Sequence, residues 1–125
     1  SFSNYLETEI LDHVFAGAAY TAPSALYLAL YTATPNDAGG GTELSGSGYV
    51  RKAASFSTSG ATTSNSGAIE YPTATGNWGT ITHIGVFDAA SSGNLMAYGA
   101  LSASKAVATG DVFRIPVGDL DITLN

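Results

Sequence analysis

The sequence contains no cysteine, which excludes a disulfide framework, a thiolate nucleophile and any metal site with sulfur ligands. Charged residues are scarce, at 11% of the chain, against about 25% in an average globular domain. Four residues are Lys or Arg and ten are Asp or Glu, so the formal net charge is −6. Because affinity for nucleic acid and for anionic membranes depends on clustered cations, we expect neither of them as a partner.

The residues that are abundant are small and neutral. The chain has 125 residues, of which 45% are hydrophobic, enough for one domain with its own core. Gly, Ala, Ser and Thr dominate the chain, and a surface made of them loses little hydration when a neighbour covers it. The composition therefore favours a protein packed into an assembly, although a hydroxyl-rich, exposed β surface would have the same composition.

Apolar residues at helical spacing predict one helix, over about residues 4–16. Asn4 is expected to cap its N-terminus with Glu7 three residues later, and Gly17 is expected to end it. We expect this helix to pack on an edge of the domain or to reach a neighbour. The apolar residues that share one face are Leu6, Ile10, Leu11, Val14 and Phe15.

After the helix the apolar period becomes two residues, which is typical of strands. Residues 24–32 are apolar on both faces, so we expect this strand to be covered on both sides. Residues 35–48 and 58–66 have the composition of loops, and Thr109-Gly110-Asp111 is typical of a hairpin turn. We predict a mainly β fold in a single domain over residues 1–125: an antiparallel β-sandwich or partly open barrel of seven or eight short strands with one N-terminal helix. The remaining predicted strands are 49–57, 67–71, 80–88, 95–102, 105–108, 112–115 and 119–124.

Residues able to support catalysis or ligand binding are few. His83 lies within a predicted strand without an adjacent nucleophile, and a structural role is favoured. Asp119 and Asp121 share one strand face, where calcium is the alternative to a solvated surface, and the solvated surface is favoured. Trp78 either stacks a sugar or fills the end of the sandwich, and the filling role is favoured. We predict a non-enzymatic protein without catalytic residues, metal or cofactor.

The segment 35–48 is the first candidate for contacts with other molecules. A glycine-rich loop of this length is uncommon in a compact domain unless it is used. Scarce cations in an acidic chain are expected to meet carboxylates, either within the fold or across a subunit boundary. The candidate subunit or lattice contacts are Asn36, Asp37, Gly39, Gly40, Gly41, Glu43 and Arg51.

Four stretches together resemble a family of small structural proteins of tailed bacteriophages, often labelled tail-fibre-like. They are LDHVFAGAAYT, LYLALYTATPNDAGGGTELSGSGYVRKAASF, SNSGAIEYPTATGNWGTITHIGVFDAASSGNLMAYGAL and TGDVFRIPVGDLDITL. The most specific parts are GYVR at 48–51 and the block WGT-x-TH-x-G-x-FDA at 78–89. The resemblance implies a component of the virion and supplies no active site.

Several functions remain open within this resemblance. A small, neutral to acidic sandwich without a repetitive shaft favours a capsid decoration, or cement, protein that stabilises the assembled shell. The alternative is a tail, baseplate or fibre-attached structural module, for which a host glycan is one candidate ligand, and a soluble sugar-binding module is a third candidate. We expect a homo-oligomer, with a trimer favoured, whose partners are the major capsid protein or tail proteins of the phage.

Overall fold

The computed structural model describes residues 1–124, which form one helix and ten strands. The predicted fold class is confirmed: the chain is mainly β, with antiparallel strands and one N-terminal helix. Within the described residues, no helix has the length and apolar character needed to cross a membrane. The elements are α1 (Asn4–Phe15), β1 (Leu26–Ala33), β2 (Thr42–Glu43), β3 (Lys52–Ala54), β4 (Phe56–Ser59), β5 (Thr62–Asn65), β6 (Ile69–Glu70), β7 (Gly79–Phe87), β8 (Leu95–Val107), β9 (Arg114–Ile115) and β10 (Asp121–Thr123).

The larger sheet has the order β2-β1-β7-β8, and β3 pairs with the start of β1. The sheet is antiparallel throughout, and β1 lies beside β7 in its interior. Both faces of β1 are buried, as its sequence predicts. Leu28 and Leu30 belong to the main core, whereas Ala29 and Tyr31 lie in a second cluster on the opposite face.

Two smaller sheets, β10-β5-β4 and β6-β9, supply the other side of the main core. Ile69, Ile115 and Leu120 from this side pack in one cluster with residues of β1 and β7. The layered arrangement is that of a β-sandwich, and no barrel closes among the described strands. One end of the core is aromatic, with close ring contacts among Tyr49, Tyr71, Trp78 and Phe113.

The first three residues form an extended arm along the outer edge of β8. Phe2 bridges Ala97, the amide of Ser3 donates to Met96 O at 2.9 Å, and the amide of Tyr98 donates to Ser1 O at 2.9 Å. The side chain of Ser3 also accepts from the amide of Leu6, so Ser3 is the N-cap of α1 and the prediction of Asn4 is wrong by one residue. After this anchored start, no residue of α1 itself is buried.

Several local predictions are wrong. The described chain has ten strands and not seven or eight; the predicted strand 49–57 is divided between β3 and β4, whereas the predicted strands 95–102 and 105–108 form the single strand β8. Residues 35–48, predicted as a loop, contain β2. The polar stretch 58–66, also predicted as a loop, contains the turn between β4 and β5 and most of the residues that pair between these two strands. The turn at 109–111 is present, with Gly110 at φ 89°, but it does not join a hairpin. β8 instead pairs with β7, and β9 pairs with β6, because backbone hydrogen bonds tie residues 110–113 to residues 71–74 and so lead the chain onto β6.

Candidate assembly interface

Asn36, Asp37, Gly39 and Gly40 form a tight turn at one end of the larger sheet. Asn36 and Gly39 exchange backbone hydrogen bonds of 2.6 and 2.9 Å, and Asn36 Oδ1 accepts from the amide of Ala38. The turn is attached to the start of α1, since the amide of Asn4 donates to Asp37 O at 2.9 Å. This part of the predicted contact loop therefore has a defined conformation and stays accessible.

Gly41 closes this turn in a conformation that requires glycine. Its φ is +71°, and a Cβ atom there would lie 2.7 Å from the backbone nitrogen of Pro35 and 2.8 Å from Ala33 O. Since both neighbouring atoms belong to the backbone, they cannot move aside easily. Gly41 thus holds the turn against the end of β1.

Glu43 and Arg51 form a bidentate ion pair that is half-buried. Arg51 Nε and Nη2 lie 2.8 Å from the two carboxylate oxygens of Glu43, and the Arg51 side chain is only 8% exposed. The hydroxyl of Tyr49 donates to Glu43 at 2.7 Å and accepts from the amide of Leu30. The expectation that Arg51 finds a carboxylate within the fold is confirmed, while its part in contacts between subunits stays a prediction.

The same network shifts the ionisation of its members. Burial raises the pKa of Glu43, but hydrogen bonds from Arg51 and Tyr49 outweigh burial and hold this pKa below its ordinary value. Hydrogen bonding to Glu43 raises the pKa of Arg51, and burial raises the pKa of Tyr49. At neutral pH the ion pair is therefore fully charged, and the tyrosine stays protonated as a donor.

Arg51 also organises the loop between β7 and β8. Its Nη1 donates to Ala89 O at 3.0 Å and to Ser92 O at 2.8 Å, and its guanidinium carbon lies 3.7 Å from the centre of the Phe87 ring. Within the loop, Asp88 accepts from the amide and the side chain of Asn94 at 2.7 and 2.9 Å. Arg51, which is half-buried, and the pair Asp88–Asn94 thus fix the exposed loop between β7 and β8.

A cleft of about 400 Å³ separates this loop from the Asp37 turn and the arm. Ser3, Asn4, Gly93 and Asn94 line it together with Asp37. Tyr98, on β8, donates its hydroxyl to the carboxylate of Asp37 beside the arm. Sequence reasoning does not identify Asn94 and Tyr98 as neighbours of the Asp37 turn, because their proximity depends on the pairing of β7 with β8 and of the arm with β8.

The remaining candidates take structural positions. Trp78 is 6% exposed and donates its indole N–H to Ser47 O at 2.9 Å, as expected for a residue that fills the sandwich end. His83 is half-buried on β7, with Nδ1 2.8 Å from Thr82 Oγ1. Asp119 and Asp121 are exposed, and Asp121 accepts from the hydroxyl of Ser64. Among residues 1–124, no three His, Asp or Glu side chains are grouped to hold a metal ion.

Two surfaces that expose apolar side chains are visible only in the folded chain, and the second of them is also lined by charged residues. The C-terminal half of α1 exposes Leu11, Val14 and Phe15, by 58, 62 and 80%. An open groove of about 1120 Å³ runs between β8 and the β9–β10 region, with the exposed residues Val112 and Leu124 in its lining. The sequence predicts the apolar face of the helix, but not that the domain leaves part of it uncovered.

No curated protein matches the chain. A family model described as "Podophage GP4 fiber I protein gp80" matches residues 1–123, a range that includes α1 and all ten strands. The match confirms the resemblance to small phage structural proteins, and its description is that of a fibre protein, a virion component. The chain therefore belongs to the podophage GP4 fiber I protein gp80 family and is a structural protein of the bacteriophage virion.

Proposed function

We propose that this chain is a non-enzymatic structural subunit of the tail-fibre apparatus, which acts by binding other tail proteins and further copies of itself. The observation behind the proposal is the family match over residues 1–123, because the family is described as a fibre protein. This description favours the tail, baseplate or fibre alternative over the capsid decoration that size and surface suggested. The match gives no support to a role as shell cement.

The contacts of the polar side chains agree with a structural role. Glu43, Tyr49 and Arg51 use their hydrogen-bonding groups to hold strands and loops together. Their network fixes the loop between β7 and β8, and the Asp37 turn is fixed against the arm. A surface that is ordered before it meets a partner loses less conformational entropy on binding, which suits a subunit used for assembly.

The location of the chain in the particle tests the proposal. Purified virions would be labelled with a gold-conjugated antibody against this protein, with pre-immune antibody as the control. We expect gold at the tail, and mass spectrometry of the same particles should give a copy number far below that of the major capsid protein. Label spread over the head, with hundreds of copies, would replace the fibre role with capsid decoration, and absence from the particle would overturn both.

A further inference from the structure

The arm, residues 1–3, binds to the outer edge of the larger sheet. β8 is the last strand of that sheet, and the edge of a sheet presents unpaired backbone groups that a further strand can bind. Ser1 and Tyr98 exchange two backbone hydrogen bonds, of 2.8 and 2.9 Å. The side chain of Ser3 is buried and donates its hydroxyl to Leu95 O. The arm therefore extends the sheet as an added antiparallel strand.

Backbone atoms make most of the contacts that hold this arm. The amide of Ser3 donates to Met96 O at 2.9 Å, and the amide of Asn4 donates to Asp37 O at 2.9 Å. When a strand is added to a sheet edge, main-chain hydrogen bonds supply the affinity, and they do not require that both strands belong to one chain. Every copy of the protein therefore has one such arm and one edge that accepts it.

The helix that follows the arm contacts its own body only through its first half. Leu6 and Ile10 lie on the side toward the body and are half-buried. Val14, one turn further along the same side, is 62% exposed, and every residue from 11 to 19 is exposed. The chain therefore leaves α1 at a point that stands clear of the body.

The linker between α1 and β1, residues 16–25, has the character of a hinge. It contains no helix or strand, and its residues are exposed or half-buried. Its first part is held by the helix, since the amide of Ala18 donates to Asp12 O at 3.0 Å and Ala18 O lies 2.8 Å from His13 Nδ1. An extended linker of this length spans about 35 Å, so it can lead from β1 to its own β8 or to that of a neighbour.

From these features we infer that copies of the chain exchange their arms. In the assembled protein, residues 1–15 of one copy bind the β8 edge of a neighbour through the bonds that they make with their own β8 in the isolated chain. The contacts are the same in both forms, so the concentration of neighbouring edges decides between them. A flexible linker holds the arm near its own edge at an effective concentration of about 1 mM. The dilute chain therefore keeps its arm, and copies packed more closely than this exchange it.

The exchange links copies head to tail, because each copy donates one arm and accepts one. This inference rests on that part of the proposed function in which copies of the chain bind one another. It does not depend on which part of the virion contains them.

Introduced cysteines report which chain supplies the arm, because the native chain has none. Phe2 and Ala97 lie opposite each other in the antiparallel ladder, where two cysteines are close enough for a disulfide. The variant Phe2→Cys/Ala97→Cys would be refolded at about 1 mM and about a hundredfold lower, oxidised, and run on a denaturing gel without reductant. We expect a disulfide within one chain at the low concentration. At the high concentration, the fraction of chains linked to another chain should rise at least about tenfold.

Thr62→Cys/Thr123→Cys is the matched control. The two hydroxyl oxygens lie 2.9 Å apart on β5 and β10, which both belong to the body, so this disulfide should stay within one chain at both concentrations. Equal linkage between chains in the two variants would overturn the inference, because the linkage would not be specific to the arm. Circular dichroism would verify folding, and Ser1→Cys/Tyr98→Cys, the adjacent pair of the ladder, replaces the first pair if that variant fails to fold.

Mixing two single variants tests the exchange directly. When Phe2→Cys and Ala97→Cys chains are refolded together at the high concentration, the two cysteines meet only if the arm of one chain lies on β8 of the other. We expect a disulfide-linked product with one chain of each kind, which mass spectrometry would identify. A mixture without this product, or a double variant that stays linked only within single chains at the high concentration, would overturn the inference. Antibody labelling of the particle would still test the fibre location separately.

Discussion

At the residue scale, Arg51 does the most to connect separate parts of the fold. It pairs with Glu43 on β2, donates to two carbonyls of the β7–β8 loop and covers the ring of Phe87. The sequence predicted that such a rare cation would meet a carboxylate. It could not identify Glu43 or the loop carbonyls as partners, because β2 lies within an apparent loop and the carbonyls come from a distant hairpin.

Replacing Arg51 should therefore cost much more than replacing an exposed cation. Arg51→Met leaves the half-buried Glu43 carboxylate with the Tyr49 hydroxyl as its remaining partner, and we expect the free energy of unfolding to fall by about 2 kcal/mol. Arg114→Met is the control, since its ion pair is long and about half exposed, and it should change stability by less than about 1 kcal/mol. Urea denaturation followed by the fluorescence of Trp78 would measure both, and equal losses would contradict the role assigned to Arg51.

The ionisation of Glu43 predicts a loss of stability in acid. The pKa of Glu43 is lower in the folded chain than in the unfolded chain. In an unfolded chain the pKa of glutamate is about 4.3. Glu43 therefore binds fewer protons in the folded state than in the unfolded state, which stabilises the folded state. This stabilisation is complete above the pKa of Glu43 in the unfolded chain and is lost as the pH falls through its pKa in the folded chain. Between about pH 6 and pH 3, the native chain should lose more stability than Glu43→Gln, which has no carboxylate at this position. If the free energy of unfolding of the native chain and of Glu43→Gln fell in parallel over this pH range, the ionisation of Glu43 would make no contribution to stability.

At the element scale, the turn that ends in Gly41 depends on one glycine. Gly41→Ala places a Cβ atom against the backbone of Ala33 and Pro35 in a left-handed conformation. We expect a loss of about 2–3 kcal/mol in unfolding free energy. Gly46→Ala is the matched control, because Gly46 has a similar φ of +74° but nothing within 4 Å of an added Cβ. It should lose about 1 kcal/mol from backbone strain alone, and identical losses would exclude a steric role for the Gly41 site.

Strands with strong apolar alternation were predictable from the sequence, and weakly patterned ones were not. β1 and β7 have long apolar runs, and both lie within a residue or two of their predicted positions. β4 and β5 are rich in Ser and Thr, and cross-strand hydroxyl contacts such as Thr58 with Thr63 replace the apolar signal. The groove and the cleft were not predictable at all, since their walls come from elements far apart in sequence.

At the scale of the whole molecule, the chain consists of a β body and a helix that the body barely covers. The body contains the buried core, including Leu28, Leu30 and Ile81 at 0% exposure. α1 has no fully buried residue and is attached at its start, through the Ser1–Ser3 arm, the Ser3 cap and the hydrogen bond from the amide of Asn4 to Asp37 O. This division leaves the helix available to a neighbour without weakening the core, and it predicts two levels of stability in one chain.

Hydrogen exchange of the dilute, monomeric chain should separate these levels. A 12-residue helix is marginal on its own, so amides of α1 should exchange by local opening while those of β1 and β7 exchange only on global unfolding. Ser3→Ala removes the cap and the contact of its hydroxyl with Leu95 O. It should speed exchange in α1 about fivefold or more, equivalent to a cap of about 1 kcal/mol, and leave β7 unchanged. Thr8→Ala, at an exposed helix position, is the control and should not speed it. If α1 in the native chain exchanged as slowly as β7, the helix would be part of the cooperative body, and the division of the chain into two levels of stability would be wrong.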